Sequence, residues 1–355
     1  MSAVERPARR VRQGRRLPST SDPTLDEKLH ALVEELPDAD AEIAMEIIGT
    51  AIKLAREQVS RLDRKIVNAA LKEMRNAFRV FAPYRSIRKV TVFGSSRAVA
   101  GDPEYELAKQ FAHEIADRGW MVITGAGPGI MQAGHEGAGG EKSFGVSIRL
   151  PFEAKPNPVI AEDPKLVNFK YFFTRKLTFM KEADAFVLLP GGFGTLDEVF
   201  ELLTLIQTGK SEMHPIVMLD RPGGTYWSDF EDHLRDDVLA PGYIRKEDLG
   251  LFRIVDDIGE AVREIEQFYR VFHSHRTVKG KLIFRLNIAP SDHDLKVLSQ
   301  EFSDTLLSPI EIVECSAAET RDDDFVDLPR LSLNFDYEHY GRLRQLIDRL
   351  NQIVV

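Results

Sequence analysis

One cysteine, Cys315, stands in the 355-residue chain. It excludes an internal disulfide and a thiolate metal cluster, and it fits a reducing, cytoplasmic setting. No apolar run approaches the roughly 20 residues of a membrane span, so a membrane partner is not expected. No G-x-x-x-x-G-K-[ST] occurs, which removes a P-loop triphosphatase. The loop Gly125-Ala126-Gly127-Pro128-Gly129-Ile130 imitates a dinucleotide fingerprint, but Ile130 stands where its last glycine belongs and Pro128 deletes an N–H. His273 and His275 have no cysteine or carboxylate at ligand spacing and read as surface residues. Asp322, Asp323, Asp324 and Asp327 complete no EF-hand pattern and read as a solvated acidic hairpin loop. No metal and no cofactor is therefore expected.

Positive charge is also short. The net charge of −9 argues against a global nucleic-acid surface. Its distribution is uneven: residues 1–16 carry six arginines against Glu5, or +5, leaving −14 for the remainder. This stretch lacks amphipathic spacing and reads as a disordered leader, with a transit peptide or a polyanion-binding arm as alternatives. A weak polyanion contact there is the one nucleic-acid contact left open. The overall composition, 43% hydrophobic and 29% charged, is that of a globular protein.

Four segments follow from the patterning: a basic tail over 1–20, a helical extension over 21–83, a main α/β domain over 84–277, and a small βαββα unit over 278–355. In the extension, Thr24 and Glu27 have capping-box spacing, and apolar residues from Leu29 to Phe81 recur at helical intervals. In the main domain, strands at Lys89–Phe93, Trp120–Thr124, Ser143–Leu150, Phe186–Leu189, Pro215–Leu219 and Phe252–Val255 alternate with helices. That alternation predicts a Rossmann-like, doubly wound parallel sheet, with ligands at the carboxyl ends of its strands. The segment Phe169–Met180 reads as a helix with Phe172, Phe173, Leu177 and Met180 as its apolar face. The proline-broken loop 151–164 reads as a pocket wall or lid.

Three glycine-bearing turns follow strands and can meet at that edge. The first is Gly94-Ser95-Ser96, the second is the Gly125–Gly129 loop leading to Met131, and the third is Pro190-Gly191-Gly192-Phe193-Gly194-Thr195. The third, strand then glycines then helix start, is an anion cradle of backbone N–H groups at a helix N-terminus. Glu198 lies one turn into that helix. It reads either as an acid facing the bound anion or as the far end of a Thr195–Glu198 capping box. Arg175 and Lys176 read either as a phosphate clamp or as a solvated basic pair.

Pro190–Glu198 (PGGFGTLDE) resembles the PGGxGTxxE signature of the Lonely Guy (LOG) family. The Arg175-Lys176 pair, the Phe93–Ser96 turn and the Gly125–Met131 loop fall where that family's pattern expects them. The resemblance covers roughly 88–268 and describes a long form with N- and C-terminal extensions. It departs from the family at Ala126 and Pro128, where the loop is usually richer in glycine. It implies a phosphoribohydrolase that cleaves a nucleoside 5′-monophosphate, such as AMP or a cytokinin riboside monophosphate, to free base and ribose 5-phosphate. Within the same resemblance, Arg175 and Glu198 are the implied catalytic pair. Gly94, Ser95, Gly127, Gly129, Met131, Lys176, Gly191, Gly192, Gly194 and Thr195 are implied to bind the substrate or its phosphate. A homodimer or higher homo-oligomer is expected. The alternative from another class is a non-catalytic nucleotide or molybdenum-cofactor carrier.

Overall fold

A computed structural model describes residues 20, 22–35, 40–149, 155–322 and 325–353. The arginine-rich tail, and Asp323 and Asp324 of the acidic hairpin, lie outside the described residues. The chain forms two compact units, 1–72 and 73–355.

In the first unit, α1 (Pro23–Glu34) and α2 (Ala41–Arg56) pack through Leu29, Val33 and Met45. Asp22, rather than Thr24, caps α1: its side chain accepts the N–H of Leu25, as a residue preceding an N1 proline is placed to do. Helix α3 (Arg61–Phe81) starts in this unit and ends in the second.

The second unit is built on a seven-stranded parallel sheet. Its first half runs β1 (Lys89–Phe93), α4 (Pro103–Asp117), β2 (Met121–Thr124), α5 (Ile130–Ala138), β3 (Ser143–Ile148), β4 (Leu166–Phe169) and α6 (Phe172–Glu182). Its second half runs β5 (Ala185–Leu188), α7 (Phe193–Gln207), β6 (Ile216–Leu219), α8 (Tyr226–His233), β7 (Phe252–Val255) and α9 (Ile258–Phe268). The order is β4-β3-β2-β1-β5-β6-β7. Every residue of β1, β2, β5 and β6 is buried, as a sheet covered by helices on both faces requires. Leu107, Phe111 and Ile115, at helical spacing on α4, are buried. The order in which strands are added reverses between β1 and β5, which pair in parallel from Val90–Ala185 to Phe93–Leu188. Such a reversal opens a crevice at the carboxyl ends of those two strands.

Two readings of this unit need correction. The stretch before α6 is a strand, β4, and the helix opens only at Phe172. The buried face of α6 is Thr174, Thr178, Phe179 and Met180, while Phe172, Phe173 and Leu177 are exposed. Apolar content alone misassigned the face, because both buried threonines have partners for their hydroxyls: Thr178 donates to the Thr174 carbonyl (2.9 Å), and Thr174 lies within bonding distance of the Tyr171 carbonyl (3.0 Å) and of Glu73 Oε2 (2.6 Å).

The C-terminal portion is a second, antiparallel sheet ordered β10-β11-β9-β8. It comprises β8 (Phe272–Val278), β9 (Lys281–Leu286), α10 (Asp292–Glu301), β10 (Glu311–Ile312), α11 (Ala317–Asp322), β11 (Arg330–Leu333) and α12 (Tyr340–Ile353). The stripe Tyr340, Leu343, Leu346, Ile347 and Leu350 of α12 is buried as its spacing predicts. Strand β8 corrects the reading of His275 as a surface residue: the residue is only 5% exposed, and its ring accepts the Met213 N–H at 3.1 Å. Its polar sequence, FHSHRTV, conceals that it is a strand.

Candidate active site

The three glycine turns end β1, β2 and β5 and are stitched together at Ser95. Its N–H donates to the Pro190 carbonyl (3.1 Å), and its own carbonyl accepts the Ile130 N–H (3.0 Å). The Ser95 N–H is thus already used, and its Oγ accepts the Arg97 N–H. Close approach explains the glycines at the crossing. A Cβ on Gly94 would lie 2.8 Å from the Ile130 side chain, and one on Gly129, where φ is +70°, would lie 2.3 Å from the Ser95 carbonyl oxygen. On Gly191 it would sit 2.1 Å from Thr195 Oγ1.

The cradle itself differs from its expected form in one respect. Helix α7 opens at Phe193, with Gly192 as its N-cap and no side-chain cap. Thr195 is therefore the third helical residue, not the cap, and the Thr195–Glu198 capping box does not form. The first-turn N–H groups of α7 are left at the crevice with the positive end of the helix dipole. Gly192, Phe193 and Gly194 are exposed there, and Thr195 is buried. Tyr226, the first residue of α8, donates its hydroxyl to the Gly191 carbonyl (2.6 Å). No motif marked Tyr226, although a residue opening the helix after β6 must lie near this same edge.

Freed from capping, Glu198 sits 5% exposed, with no hydrogen-bond partner for Oε2 among the described residues. Burial pushes its carboxyl up to about 7, against the pull of Lys176 and Arg175. Lys176 bridges from α6 to α7, pairing with Asp197 (2.8 Å) and Glu201 (2.7 Å) on either side of Glu198. Its burial favours deprotonation, but those two carboxylates outweigh it and hold its ammonium above the usual range. Arg175 donates Nε to the Val146 carbonyl (2.9 Å) and lies against Gly125. A Cβ on Gly125 would meet Arg175 Nη2 at 2.4 Å and Met131 Sδ at 2.6 Å; one on Gly127 would meet Met131 Cε at 2.6 Å. Arg175 and Lys176 are thus held by protein partners and are not a solvated pair. The arrangement couples an anion cradle to a carboxylate that can exchange its proton near neutral pH.

The site lies within a stretch with known relatives. A family model described as possible lysine decarboxylase matches residues 129–265. Over 165 residues the chain is 30% identical to the cytokinin riboside 5′-monophosphate phosphoribohydrolase of Mycobacterium tuberculosis, covering 44% of this chain and 83% of that one. It is also 30% identical over 128 residues to the cytokinin riboside 5′-monophosphate phosphoribohydrolase LOG2 of Arabidopsis thaliana, covering 34% of this chain but spanning only 58% of that relative's length. A solved molybdenum cofactor carrier protein from Chlamydomonas reinhardtii matches 51% of this chain and 97% of its own at 19% identity, with a TM-score of 0.35.

Proposed function

The chain belongs to the Lonely Guy family, and from that premise we propose that it hydrolyses the N-glycosidic bond of a nucleoside 5′-monophosphate to free base and ribose 5-phosphate. The observation that carries this reading is Glu198: a buried carboxylate, held near neutrality, one turn inside the helix whose N-terminus forms the anion cradle.

The phosphate is taken by the N–H groups of Gly192, Gly194 and Thr195 and by the Ser95 hydroxyl, with Gly94, Gly127, Gly129 and Gly191 allowing the close approach. Binding that remote group positions C1′ for reaction. As the bond to the base breaks, its electron pair leaves with the base and the sugar becomes oxocarbenium-like. Ionised Glu198 stabilises that cation and accepts a proton from the attacking water, whose oxygen bonds to C1′. The proton passes to the departing base, so atoms and charge balance. Arg175 orients the phosphate and Glu198, and Met131 lines the sugar and base side.

AMP and isopentenyladenosine monophosphate, followed in a panel of nucleotides, are expected to release free base, and Glu198→Ala is expected to abolish release. The rival reading, a nucleotide or molybdenum-cofactor carrier, predicts tight binding of one of these ligands with no turnover. The same site region supports self-association. Phe193 is 94% exposed beside the cradle, and Phe172, Phe173 and Leu177 expose further apolar surface on α6. A second copy of the chain covers this face in our reading, and sedimentation at micromolar concentration should give a mass of two chains or more.

A further inference from the structure

Beneath the second glycine turn lies a buried polar chain for which the reaction above has no use. Thr124, His135 and Asn157 are all buried, and His135 is 0% exposed. Their hydrogen bonds converge on Ala126, a non-glycine residue held at φ +64°. That conformation is unfavourable for a residue with a Cβ and persists only where its surroundings enforce it. Here they do. Thr124 Oγ1 accepts the Ala126 N–H (3.0 Å). Asn157 adds to this: its backbone N–H donates to the Ala126 carbonyl (2.8 Å), and its side-chain Nδ2, which has two hydrogens, lies 3.1 Å from the carbonyls of both Ala126 and Gly127, which share one of them when the other goes to His135.

His135 sets the direction of that amide. Its Nε2 lies 3.0 Å from the Phe144 carbonyl oxygen, which can only accept, so this nitrogen carries the proton. Nδ1 is then an acceptor, 3.1 Å from Asn157 Nδ2 and 3.3 Å from its Oδ1, so it favours the amide nitrogen as its partner, the same orientation that the Ala126 and Gly127 carbonyls require. Burial lowers the affinity of His135 for a second proton and keeps it in this neutral form.

The consequence falls on the opposite face of the loop. In a planar trans peptide the C=O and the following N–H point in opposite directions. Fixing the Ala126 carbonyl on Asn157 therefore turns the Gly127 N–H away from the buried side. The same fixed loop is the wall against which Arg175 and Met131 pack at Gly125 and Gly127. We infer that His135 and Asn157 are positioning residues: together they hold the Gly125–Gly129 loop with one N–H turned outward for an anion and with Arg175 backed into place beside Glu198. The inference rests on the nucleotide reading for the identity of the anion, not for the existence of the latch.

Asn157→Asp tests it, since aspartate is isosteric but places an acceptor against two carbonyls. Binding of ribose 5-phosphate by calorimetry, amide hydrogen exchange over residues 125–129, and kcat and KM for any nucleotide the wild type cleaves would be measured on the full chain. The expected result is a folded protein with affinity for ribose 5-phosphate reduced about tenfold or more, faster exchange at Gly127, and a lower kcat. His135→Gln, which can still donate to the Phe144 carbonyl, should lose less than His135→Ala; this pair decides the matter if Asn157→Asp does not fold. Unchanged affinity and exchange in Asn157→Asp, or equal losses in the two His135 variants, overturn the inference. A wild type that binds ribose 5-phosphate without cleaving any nucleotide, while Asn157→Asp binds it weakly, refutes the hydrolase and leaves the latch standing.

Discussion

The Ser95 N–H donates to the Pro190 carbonyl at 3.1 Å, and this one bond ties the end of β1 to the glycine signature after β5. The two strands are parallel neighbours at the point where the strand order reverses, so the bond closes the floor of the crevice there. With Ile130 donating to the Ser95 carbonyl, three turns far apart in sequence become one rigid surface.

Rigidity of that surface makes its glycines unequal. Gly191→Ala must force Thr195 or the Gly94 backbone aside, since the new Cβ would lie 2.1 Å from Thr195 Oγ1 and 3.1 Å from the Gly94 carbonyl carbon. A loss of about 1–3 kcal/mol is expected in denaturant titration. Gly192→Ala and Gly194→Ala enter open space and should stay within about 0.5 kcal/mol of wild type. Equal penalties at all three positions would contradict the crossing.

Glu198 opposes stability in order to be available near neutrality. Its folded pKa, about 7, lies above the ordinary 4.5. Between those values the folded state holds the proton more tightly than the unfolded state, so stability falls as pH rises through that window. By pH 8 the cost is roughly 3 kcal/mol. Glu198→Gln should therefore melt higher than wild type at pH 8, with the gap closing near pH 4, and should release no base.

The same group should govern the rate. If ionised Glu198 assists departure of the base, kcat/KM rises with pH and levels off above about 7. Lys176 is the leading charge holding that pKa down, ahead of Arg175. Lys176→Ala should move the rising limb to higher pH, and a limb that stays in place would remove Glu198 as its origin.

Far from the crevice, Glu319 anchors the second sheet. It is 1% exposed, and its Oε1 accepts from Arg285 Nη2 (3.1 Å) and Arg330 Nε (3.4 Å). Burial raises its pKa, but hydrogen bonds from Ser316 and Arg285 and the charge of Arg330 outweigh that and bring it to about 2. Its stabilising contribution is present above pH 4.5 and disappears as pH falls through about 2. Glu319→Gln should cost roughly 3 kcal/mol or more at neutral pH, with a difference from wild type that closes between pH 4.5 and 2 in thermal melts.

The sheet was written locally. Runs such as Lys89–Phe93 and Phe186–Leu189 are apolar enough to be strands buried on both faces, and their alternation with helices fixes the crevice edge. The glycine turns and Glu198 could be found for the same reason, since each follows a strand. Strand β8 could not, because its polar residues are satisfied by partners distant in sequence: His275 by Met213, and Arg285 of the paired β9 by Glu319. Nor could spacing choose between cap and acid for Glu198. That depended on where α7 begins, and the crossing of Gly94, Gly191 and Thr195 puts the helix start at Phe193. Periodicity also favoured the wrong face of α6, whose Thr174 and Thr178 are buried while Phe172 and Phe173 are exposed. His135 and Asn157 carry no motif, being 22 residues apart, and meet only because α5 and the loop before β4 close over one turn. Patterns of apolarity and glycine register what a segment can become; which polar groups find one another depends on distances that exist only after the chain has closed on itself.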